Sequence, residues 1–255
     1  MNSELIRNDF PILKTKVGGH QIVYFDNAAT TQRPLPVVNA VLDYTTHENG
    51  NPHRGAHIFA ISASEAYDTS KEVVRDFIHA RSEKEIIYTR NTSESLNLVA
   101  RSYGETHLKA GDHILITIAE HHSNLVTWQR VAQKTGATLD YIYVDKETGH
   151  FPEEELKKID DPRVKLFAFA EVSNVLGIDF DPKPLIQRAH AHGAIVVLDG
   201  AQSTPHKIVD VQDLDCDFFA FSGHKMCSMG GIGVLYGKEE LLNDMEPFLM
   251  GGDMI

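Results

Sequence analysis

Seven apolar runs of strand length alternate along the chain with amphipathic segments of helix length. This alternation predicts an α/β fold, in which a mainly parallel seven-stranded sheet carries helices on both faces. Residues 166–170 and 195–198 are almost continuously apolar, as expected for strands buried on both sides. The predicted strands are residues 85–89, 113–119, 139–144, 164–171, 194–199, 217–221 and 232–236. The predicted helices are residues 62–80, 93–104, 123–135, 153–159 and 182–192.

The first 22 residues stand apart from this pattern, because Pro11 and the pair Gly18-Gly19 interrupt them. We therefore expect an amino-terminal arm at residues 1–22 and one large domain at residues 23–255. A chain of 255 residues is long enough for one such domain.

Charge and cysteine content narrow the class of protein further. A net charge of −12 argues against nucleic acid or an anionic membrane as the main partner. Two cysteines, Cys216 and Cys227, are too few for a disulfide framework, and no apolar run is long enough to span a bilayer. These observations predict a reduced, cytoplasmic chain.

Polar residues follow five of the predicted strands directly. In a parallel sheet the carboxyl ends of the strands meet at one edge, where ligands bind. We therefore expect these five segments to converge on one site: residues 89–94, 120–124, 171–177, 199–203 and 222–225.

Lys225 follows the apolar run at residues 218–221. A lysine in that place would be partly desolvated, which lowers its pKa and makes its amine a better nucleophile toward a carbonyl cofactor. Taken alone, a solvated surface lysine is the more common case, and the neighbouring motifs favour the reactive role.

Asp199 ends the strand at residues 194–199 and could keep a pyridine nitrogen protonated, so that the ring withdraws electrons. Gln202 could bind the phenolic oxygen of such a ring. Asn174 could do the same or bind a substrate carboxylate. The alternatives are ordinary helix-capping and turn roles for Asp199 and Asn174.

Residues 91–95 (Asn-Thr-Ser-Glu-Ser) lie between a strand and a helix, where N–H groups and hydroxyls can bind a phosphate. Plain helix capping is the alternative. One imidazole of the pair His121-His122 could stack on a planar ring and shuttle a proton. Metal binding is the competing interpretation, but adjacent histidines in a strand point to opposite faces. His190 and His192 likewise diverge on a helix, so we expect no metal site.

In their order, these motifs resemble those of the Suf-type (group II) cysteine desulfurases. That group lies in the class V aminotransferase family of fold-type I pyridoxal phosphate (PLP) enzymes. The resemblance covers nearly the whole chain, from residues 24–31 (Tyr-Phe-Asp-Asn-Ala-Ala-Thr-Thr) through residues 51–57 (Asn-Pro-His-Arg-Gly-Ala-His) to residues 251–255 (Gly-Gly-Asp-Met-Ile).

The resemblance implies that Lys225 forms a Schiff base with PLP, that Asp199 pairs with the pyridinium nitrogen, and that His121 stacks on the ring as an acid or base. Gln202 and Asn174 would meet the phenolic oxygen. The implied phosphate ligands are Thr92, Ser93, Ser222 and His224. The implied substrate-pocket residues, partly across a dimer interface, are Asn27, Ala28, Ala29 and His53.

The implied activity is a PLP-dependent sulfurtransferase reaction. L-cysteine would be converted to L-alanine, and its sulfur would pass to an acceptor protein for iron–sulfur cluster assembly. The resemblance also implies a homodimer. L-selenocysteine is the alternative substrate.

This chain departs from the family pattern in two ways. The family pattern continues past residue 255 with a smaller domain, a nucleophilic cysteine and an arginine that binds the substrate carboxylate. The loop at residues 226–233 reads Met-Cys-Ser-Met-Gly-Gly-Ile-Gly, where the family usually has Met-Tyr-Gly-Pro-Thr-Gly-Ile-Gly. We therefore expect little cysteine turnover by this chain alone. The alternatives are a truncated or degenerate non-catalytic scaffold, another class V enzyme such as a selenocysteine lyase, and a metal hydrolase.

Overall fold

The computed structural model of the chain describes residues 3–252 and residue 254. Two short strands form an antiparallel hairpin in the predicted arm: β1 (Lys16–Val17) and β2 (His20–Gln21). The other strands form one seven-stranded sheet: β3 (Ile86–Thr89), β4 (His113–Thr117), β5 (Thr138–Ile142), β6 (Val164–Ala170), β7 (Ile195–Asp199), β8 (Phe218–Ser222) and β9 (Gly233–Gly237).

The strands of this sheet lie in the order β3-β9-β8-β7-β6-β4-β5. Strand β9 is antiparallel to both of its neighbours, β3 and β8, and the remaining pairs are parallel. The predicted α/β class and mainly parallel seven-stranded sheet are therefore confirmed. Each of the seven predicted strands is present, with ends displaced by at most two residues.

Helices connect the strands and flank the sheet. The α-helices are α1 (Ser3–Asn8), α2 (Leu35–Asp43), α3 (Ile58–Phe77), α4 (Thr92–Val99), α5 (Glu105–His107), α6 (His122–Thr135), α7 (Glu153–Leu156), α8 (Pro182–Ala191), α9 (Val211–Leu214) and α10 (Glu239–Asn243). π-Helical turns follow α2 (Tyr44–Glu48) and α4 (Ala100–Gly104). Single 3-10 turns lie at Pro11–Lys14, Glu83–Glu85, Lys157–Asp160 and Gly223–Lys225.

The five predicted helices correspond to α3, α4, α6, α7 and α8. Helix α3 begins four residues before the predicted start. Helix α2 was not predicted, because Pro34 and Pro36 suggest a turn. Pro34 is instead the N-cap of the helix and Pro36 lies in its first turn, where the missing N–H group has no helical partner to lose.

The core lies on both faces of the sheet, and alternating strand residues supply its two halves. On β7, Val196 and Leu198 point to one face and Val197 points to the other. On β8, Phe219 joins the first face and Phe218 the second, and both side chains are fully buried. Each such phenylalanine contributes roughly 1.5–3 kcal/mol through burial. Within residues 3–252, no helix has the length and apolarity needed to cross a bilayer.

Candidate active site

A cavity of about 550 Å³ lies beyond the carboxyl ends of the parallel strands, and we call it the rim cavity. All five polar segments expected to converge contribute to its walls, and Asp26, Ala28 and Ala29 add another wall. The predicted site residues that line it are Ala28, Ala29, Thr92, Ser93, His121, Asn174, Asp199, Gln202, Ser222, His224 and Lys225.

Lys225 and Asp199 reach the rim cavity from neighbouring strands. Asp199 is the last residue of β7, and Lys225 ends the 3-10 turn after β8. Burial raises the pKa of Asp199, whose Oδ1 accepts a hydrogen bond from Ala201 N at 2.9 Å. Burial lowers the pKa of Lys225, and each charge partly offsets the shift of the other. The site thus combines an amine whose neutral form is favoured by burial with a carboxyl group suited to a cationic ligand.

The start of α4 forms a polar corner of the rim cavity. Asn91 caps the helix by accepting a hydrogen bond from Glu94 N at 2.9 Å. Thr92 N donates to Ser222 Oγ at 2.8 Å, and the two hydroxyl oxygens lie 2.6 Å apart. Ser93 lines the same corner. A helix N-terminus surrounded by hydroxyls is suited to a phosphate group.

This corner depends on a close approach of β9 to the start of α4. A Cβ atom on Gly233 would lie 2.5 Å from the Cα atom of Asn91. Similarly, a Cβ atom on Gly200, directly after Asp199, would lie 2.0 Å from the ring of Phe219. Glycine at these two positions allows strand and loop to pack at the distance that the cavity requires.

His121 is the N-cap of α6 and lines the rim cavity. Its Nδ1 accepts a hydrogen bond from Ser123 N at 3.1 Å, so the neutral imidazole carries its proton on Nε2. Burial lowers the pKa of His121. Ser123 Oγ lies 2.7 Å from both His121 Nδ1 and Ser93 Oγ, which links the imidazole to the start of α4. This imidazole can therefore move a proton within the cavity.

The two adjacent histidines begin a helix rather than lying in a strand. Their ring centroids are 6.1 Å apart, and His122 is absent from the lining of the rim cavity. His190 and His192 contact different carboxylates, those of Asp217 and Asp160. Among residues 3–252 and 254, no group of three or more histidine, cysteine, aspartate or glutamate side chains could hold a metal ion.

Residues 26–31 are tied to two sides of the rim cavity. Gln202 Nε2 donates to Ala28 O at 2.8 Å. On the other side, Thr31 N and Thr31 Oγ1 each donate to His224 O at 3.0 Å, and Cys227 N donates to Thr31 Oγ1 at 2.8 Å. The segment therefore bridges the Asp199 side and the Lys225 side of the site. Sequence reasoning assigned no role to Thr31, although it lies in the motif that contains Ala28.

Two predicted pocket residues, Asn27 and His53, do not line the rim cavity. Asn27 lines a separate cavity of about 380 Å³ beside the amino-terminal arm. His53 packs edge-on against Tyr67, and its Nε2 atom lies 3.5 Å from Asp68 Oδ1. Their roles were expected partly across a dimer interface, and those roles stay predictions.

Other residues of the rim cavity were not assigned a role from sequence: Asp26, Arg90 and Ser123. Ser123 belongs to the quoted motif at residues 120–124, which was the available signal. Cys216 is fully buried, and burial raises the pKa of its thiol. Cys227 lines the separate cavity beside the arm. Neither cysteine lines the rim cavity.

Fold and cavity together define an α/β protein whose mainly parallel sheet carries an amine, a carboxyl group and the polar corner at one edge. The chain belongs to the aminotransferase class-V family, whose family model matches residues 23–255. This finding confirms the family predicted from the motifs.

Several of the similar proteins are named cysteine desulfurases or probable cysteine desulfurases. The chain is 49% identical over its whole length to a probable cysteine desulfurase of Halalkalibacterium halodurans, of which it covers 63%. The structure matches the apo cysteine desulfurase of Thermococcus onnurineus with a TM-score of 0.90 and 42% identity, covering 99% of this chain and 61% of that one.

The structure also matches the Escherichia coli cysteine desulfurase CsdA with a TM-score of 0.86 and 38% identity, covering 100% of this chain and 62% of that one. The chain thus spans a little over 60% of the length of these three relatives, and it resembles their amino-terminal part.

Proposed function

We propose that the rim cavity binds PLP and that the protein acts as a PLP-dependent cysteine desulfurase. The observation that carries this proposal is the pair Lys225 and Asp199, which line one cavity and whose pKa values burial shifts in opposite directions. An amine and a carboxyl group arranged in this way suit the carbonyl carbon and the ring nitrogen of PLP.

The donor set of the cavity fits the remaining groups of PLP. Lys225 Nζ would hold the cofactor covalently, and the Asp199 carboxylate would face its ring nitrogen. His121 would lie against the ring, and Gln202 and Asn174 near its phenolic oxygen. The residues that would hold the phosphate are Thr92, Ser93, Ser222 and His224. Bound PLP supplies an electron-withdrawing ring that stabilises negative charge on the substrate Cα.

The chain's own side chains would then move the protons. Lys225, whose pKa is lowered by burial, can accept the Cα proton of the substrate through Nζ. Asp199 would favour a proton on the ring nitrogen; burial raises the pKa of Asp199, and the positive charge of Lys225 offsets part of that shift. His121 carries a proton on Nε2 that it can donate to the departing part of the substrate.

L-cysteine is the proposed substrate, since the similar proteins are named cysteine desulfurases. The products would be L-alanine and sulfur for an acceptor protein in iron–sulfur cluster assembly, made by a cytoplasmic homodimer. L-selenocysteine remains the alternative substrate. Because neither cysteine lines the rim cavity, we propose neither Cys216 nor Cys227 as the sulfur nucleophile. The placement of the two cysteines favours a second candidate function for the 255-residue chain, which is PLP binding without sulfur transfer.

A visible absorption spectrum tests the cofactor. Purified chain mixed with PLP should gain a visible band, and borohydride reduction followed by peptide mass spectrometry should place the label on Lys225. Lys225→Ala should lose both signals. Lys165→Ala is the matched control, because Lys165 is exposed and, among residues 3–252 and 254, hydrogen-bonds only to Pro162 O. A wild-type chain without a PLP-dependent band would contradict the proposal.

A turnover assay separates the two candidates. L-Alanine and sulfide are measured after adding L-cysteine, and L-alanine is measured after adding L-selenocysteine. We expect PLP binding with little cysteine turnover by the 255-residue chain. Rapid sulfide release by this chain would show that the second candidate is wrong.

A further inference from the structure

Directly before His121 lies a buried carboxyl group that the proposed chemistry does not use. Glu120 is 7% exposed. Its Oε1 accepts hydrogen bonds from Thr117 Oγ1 and, at 3.1 Å, from Ala170 N. Its Oε2 accepts a hydrogen bond from Asn124 Nδ2 at 2.6 Å. One side chain therefore contacts three separate segments of the fold.

His121 directly precedes one of these segments, helix α6. Thr117 ends β4 and Ala170 ends β6, which is the neighbour of β4 in the sheet. Asn124 is the third residue of α6. The Glu120 carboxyl group thus fastens the first turn of α6 to the edge of the sheet. Ala170 itself lines the rim cavity, so the fastening point lies directly beside the candidate site.

The connection continues into the core and back to the imidazole. Asn124 Oδ1 accepts a hydrogen bond from Trp128 Nε1 at 2.8 Å, and Trp128 is fully buried. Asn124 N donates to His121 O at 2.8 Å. Because His121 Nδ1 is held by Ser123 N in the same turn, the orientation of that turn determines where the imidazole lies.

The charge state of Glu120 follows from its surroundings. The elements packed against it present Thr117, Ala170, Asn124 and Trp128, and none of these residue types titrates near neutral pH. Burial raises the pKa of Glu120 to about 8, and the negative charge that acts on it is that of Asp199. The hydrogen bonds from Thr117, Asn124 and Ala170 offset part of this shift.

We propose that Glu120 is the positioning residue of His121: its carboxyl group holds the start of α6 against β4 and β6 and so places the imidazole in the rim cavity. The functional meaning of this placement rests on the proposed role of His121 toward PLP. The placement itself is a property of the chain without cofactor and can be measured there.

Histidine-selective NMR on the PLP-free chain provides the test. The His121 signal is identified by its disappearance in His121→Gln, and its titration is followed in each variant. Glu120→Gln keeps an oxygen for Thr117 and Ala170 but turns an amide NH2 group toward Asn124 Nδ2, so it should shift the His121 signal less than Glu120→Ala does. Glu120→Ala releases the first turn of α6, so the His121 signal should move and its pKa should rise toward the free imidazole value of about 6.5.

Either of two results would overturn the proposal. One is a folded Glu120→Ala chain, judged by circular dichroism, with an unchanged His121 signal and titration. The other is a Glu120→Gln chain that disturbs His121 as strongly as Glu120→Ala. If Glu120→Ala does not fold, Asn124→Ala replaces it, because that substitution removes the donor to Oε2 and must also displace the imidazole.

A second readout separates this proposal from the proposed function. PLP is added to wild type and to Glu120→Ala, and the visible band is compared between the two chains. A displaced imidazole should alter the band of the variant relative to the wild type. An identical band in both chains would count against the positioning role. Failure of both chains to take up PLP would count against the proposed function alone, because the NMR result stands without cofactor.

Discussion

Lys225 and Asp199 line the same cavity, and burial disfavours the charged form of both side chains. The pKa of the amine falls and the pKa of the carboxyl group rises for this one reason. A ligand that bonds to the amine and brings positive charge to the carboxylate relieves both costs together. We therefore expect the rim cavity to be a source of instability in the free chain and of affinity for the ligand.

The first prediction concerns Asp199→Asn. The amide keeps the size of the side chain and an acceptor for Ala201 N, but it removes a buried charge. A carboxyl group whose folded pKa is raised destabilises the folded state above its unfolded pKa of about 3.9, so at pH 7 the substitution should stabilise the PLP-free chain. We expect a gain of about 1 kcal/mol in urea unfolding, together with weaker PLP binding.

Asp43→Asn is the control for that substitution, because Asp43 is an exposed residue at the end of α2. It should change neither the free energy of unfolding nor PLP binding. Lower stability of the Asp199→Asn chain at pH 7, or unchanged PLP affinity, would show that the charge on Asp199 does not have the proposed role.

The second prediction concerns the polar corner at the start of α4. Ser222→Ala removes the hydroxyl that accepts a hydrogen bond from Thr92 N and lies 2.6 Å from Thr92 Oγ1. Hydrogen bonds to charged groups contribute about 1.5–3 kcal/mol, so PLP should bind roughly 10- to 100-fold more weakly. Pyridoxal, which lacks the phosphate, should bind to the variant and the wild type with similar affinity. Titrations followed by visible absorbance give both constants.

Ser102→Ala is the matched control. Ser102 is also a buried serine, its Oγ atom has no hydrogen-bond partner in the described part of the chain, and it does not line the rim cavity. Removal of an unpaired buried hydroxyl should leave PLP affinity unchanged and should not lower stability. If Ser222→Ala weakened pyridoxal as much as PLP, the phosphate would have to be placed elsewhere.

Local sequence patterns predicted the sheet well, because its strands are buried on both faces and read as apolar runs. The run at residues 218–221 is an example, since Phe218 and Phe219 pack on opposite faces and are both fully buried. The two-residue strands β1 and β2 are too short to leave such a pattern. Helix α2 was missed because Pro34 and Pro36 are compatible with either a turn or a helix start.

The candidate site likewise contains residues that the sequence could place and residues that it could not. Residues that directly follow a strand, such as Asp199 and Lys225, could be placed at the sheet edge from their position alone. Glu120 and Thr31 act through hydrogen bonds to residues far along the chain, since Glu120 bonds Ala170 N and Thr31 bonds His224 O. Pairings at such separations depend on the assembled fold, and no spacing rule within the sequence indicates them.

The third prediction tests the close approach between β9 and α4. In Gly233→Ala the new Cβ atom would lie 2.5 Å from the Cα atom of Asn91, so the strand or the helix start must move. Overpacking of this kind costs about 1–3 kcal/mol. We expect that loss in urea unfolding, together with weaker PLP binding. Gly230→Ala is the control, because a Cβ atom there would lie within 4 Å of no other described residue. Equal stability and equal PLP affinity of the two variants would show that the close approach of β9 to α4 limits neither property.

The last prediction concerns pH and a cluster of charges around Asp217. The Asp217 side chain is 6% exposed, and its carboxylate lies 2.8 Å from both His190 Nε2 and Lys238 Nζ and accepts a hydrogen bond from Val196 N at 2.7 Å. Burial opposes the charge of Asp217, but the hydrogen bonds outweigh burial and lower its pKa. The hydrogen bond to Asp217 in turn raises the pKa of His190.

These two shifts have opposite consequences for stability. A lowered carboxyl pKa stabilises the folded state above the unfolded value of about 3.9, and this contribution is lost as pH falls through the folded pKa. A raised histidine pKa stabilises the folded state below about 6.5, and that contribution is lost as pH rises through the folded pKa of His190. Between pH 4 and about 6.5 both contributions are present, so the cluster stabilises most there.

Urea unfolding of wild type and His190→Gln, measured from pH 5.5 to about 8.5, isolates the histidine contribution. The stability difference between the two chains should shrink by on the order of 1 kcal/mol as pH rises through that range, since only the wild type loses a charged pair. His20→Gln, at an exposed position in β2, should follow the wild type. A difference between wild type and His190→Gln that stays constant with pH would mean that His190 does not hold an extra proton in the folded chain.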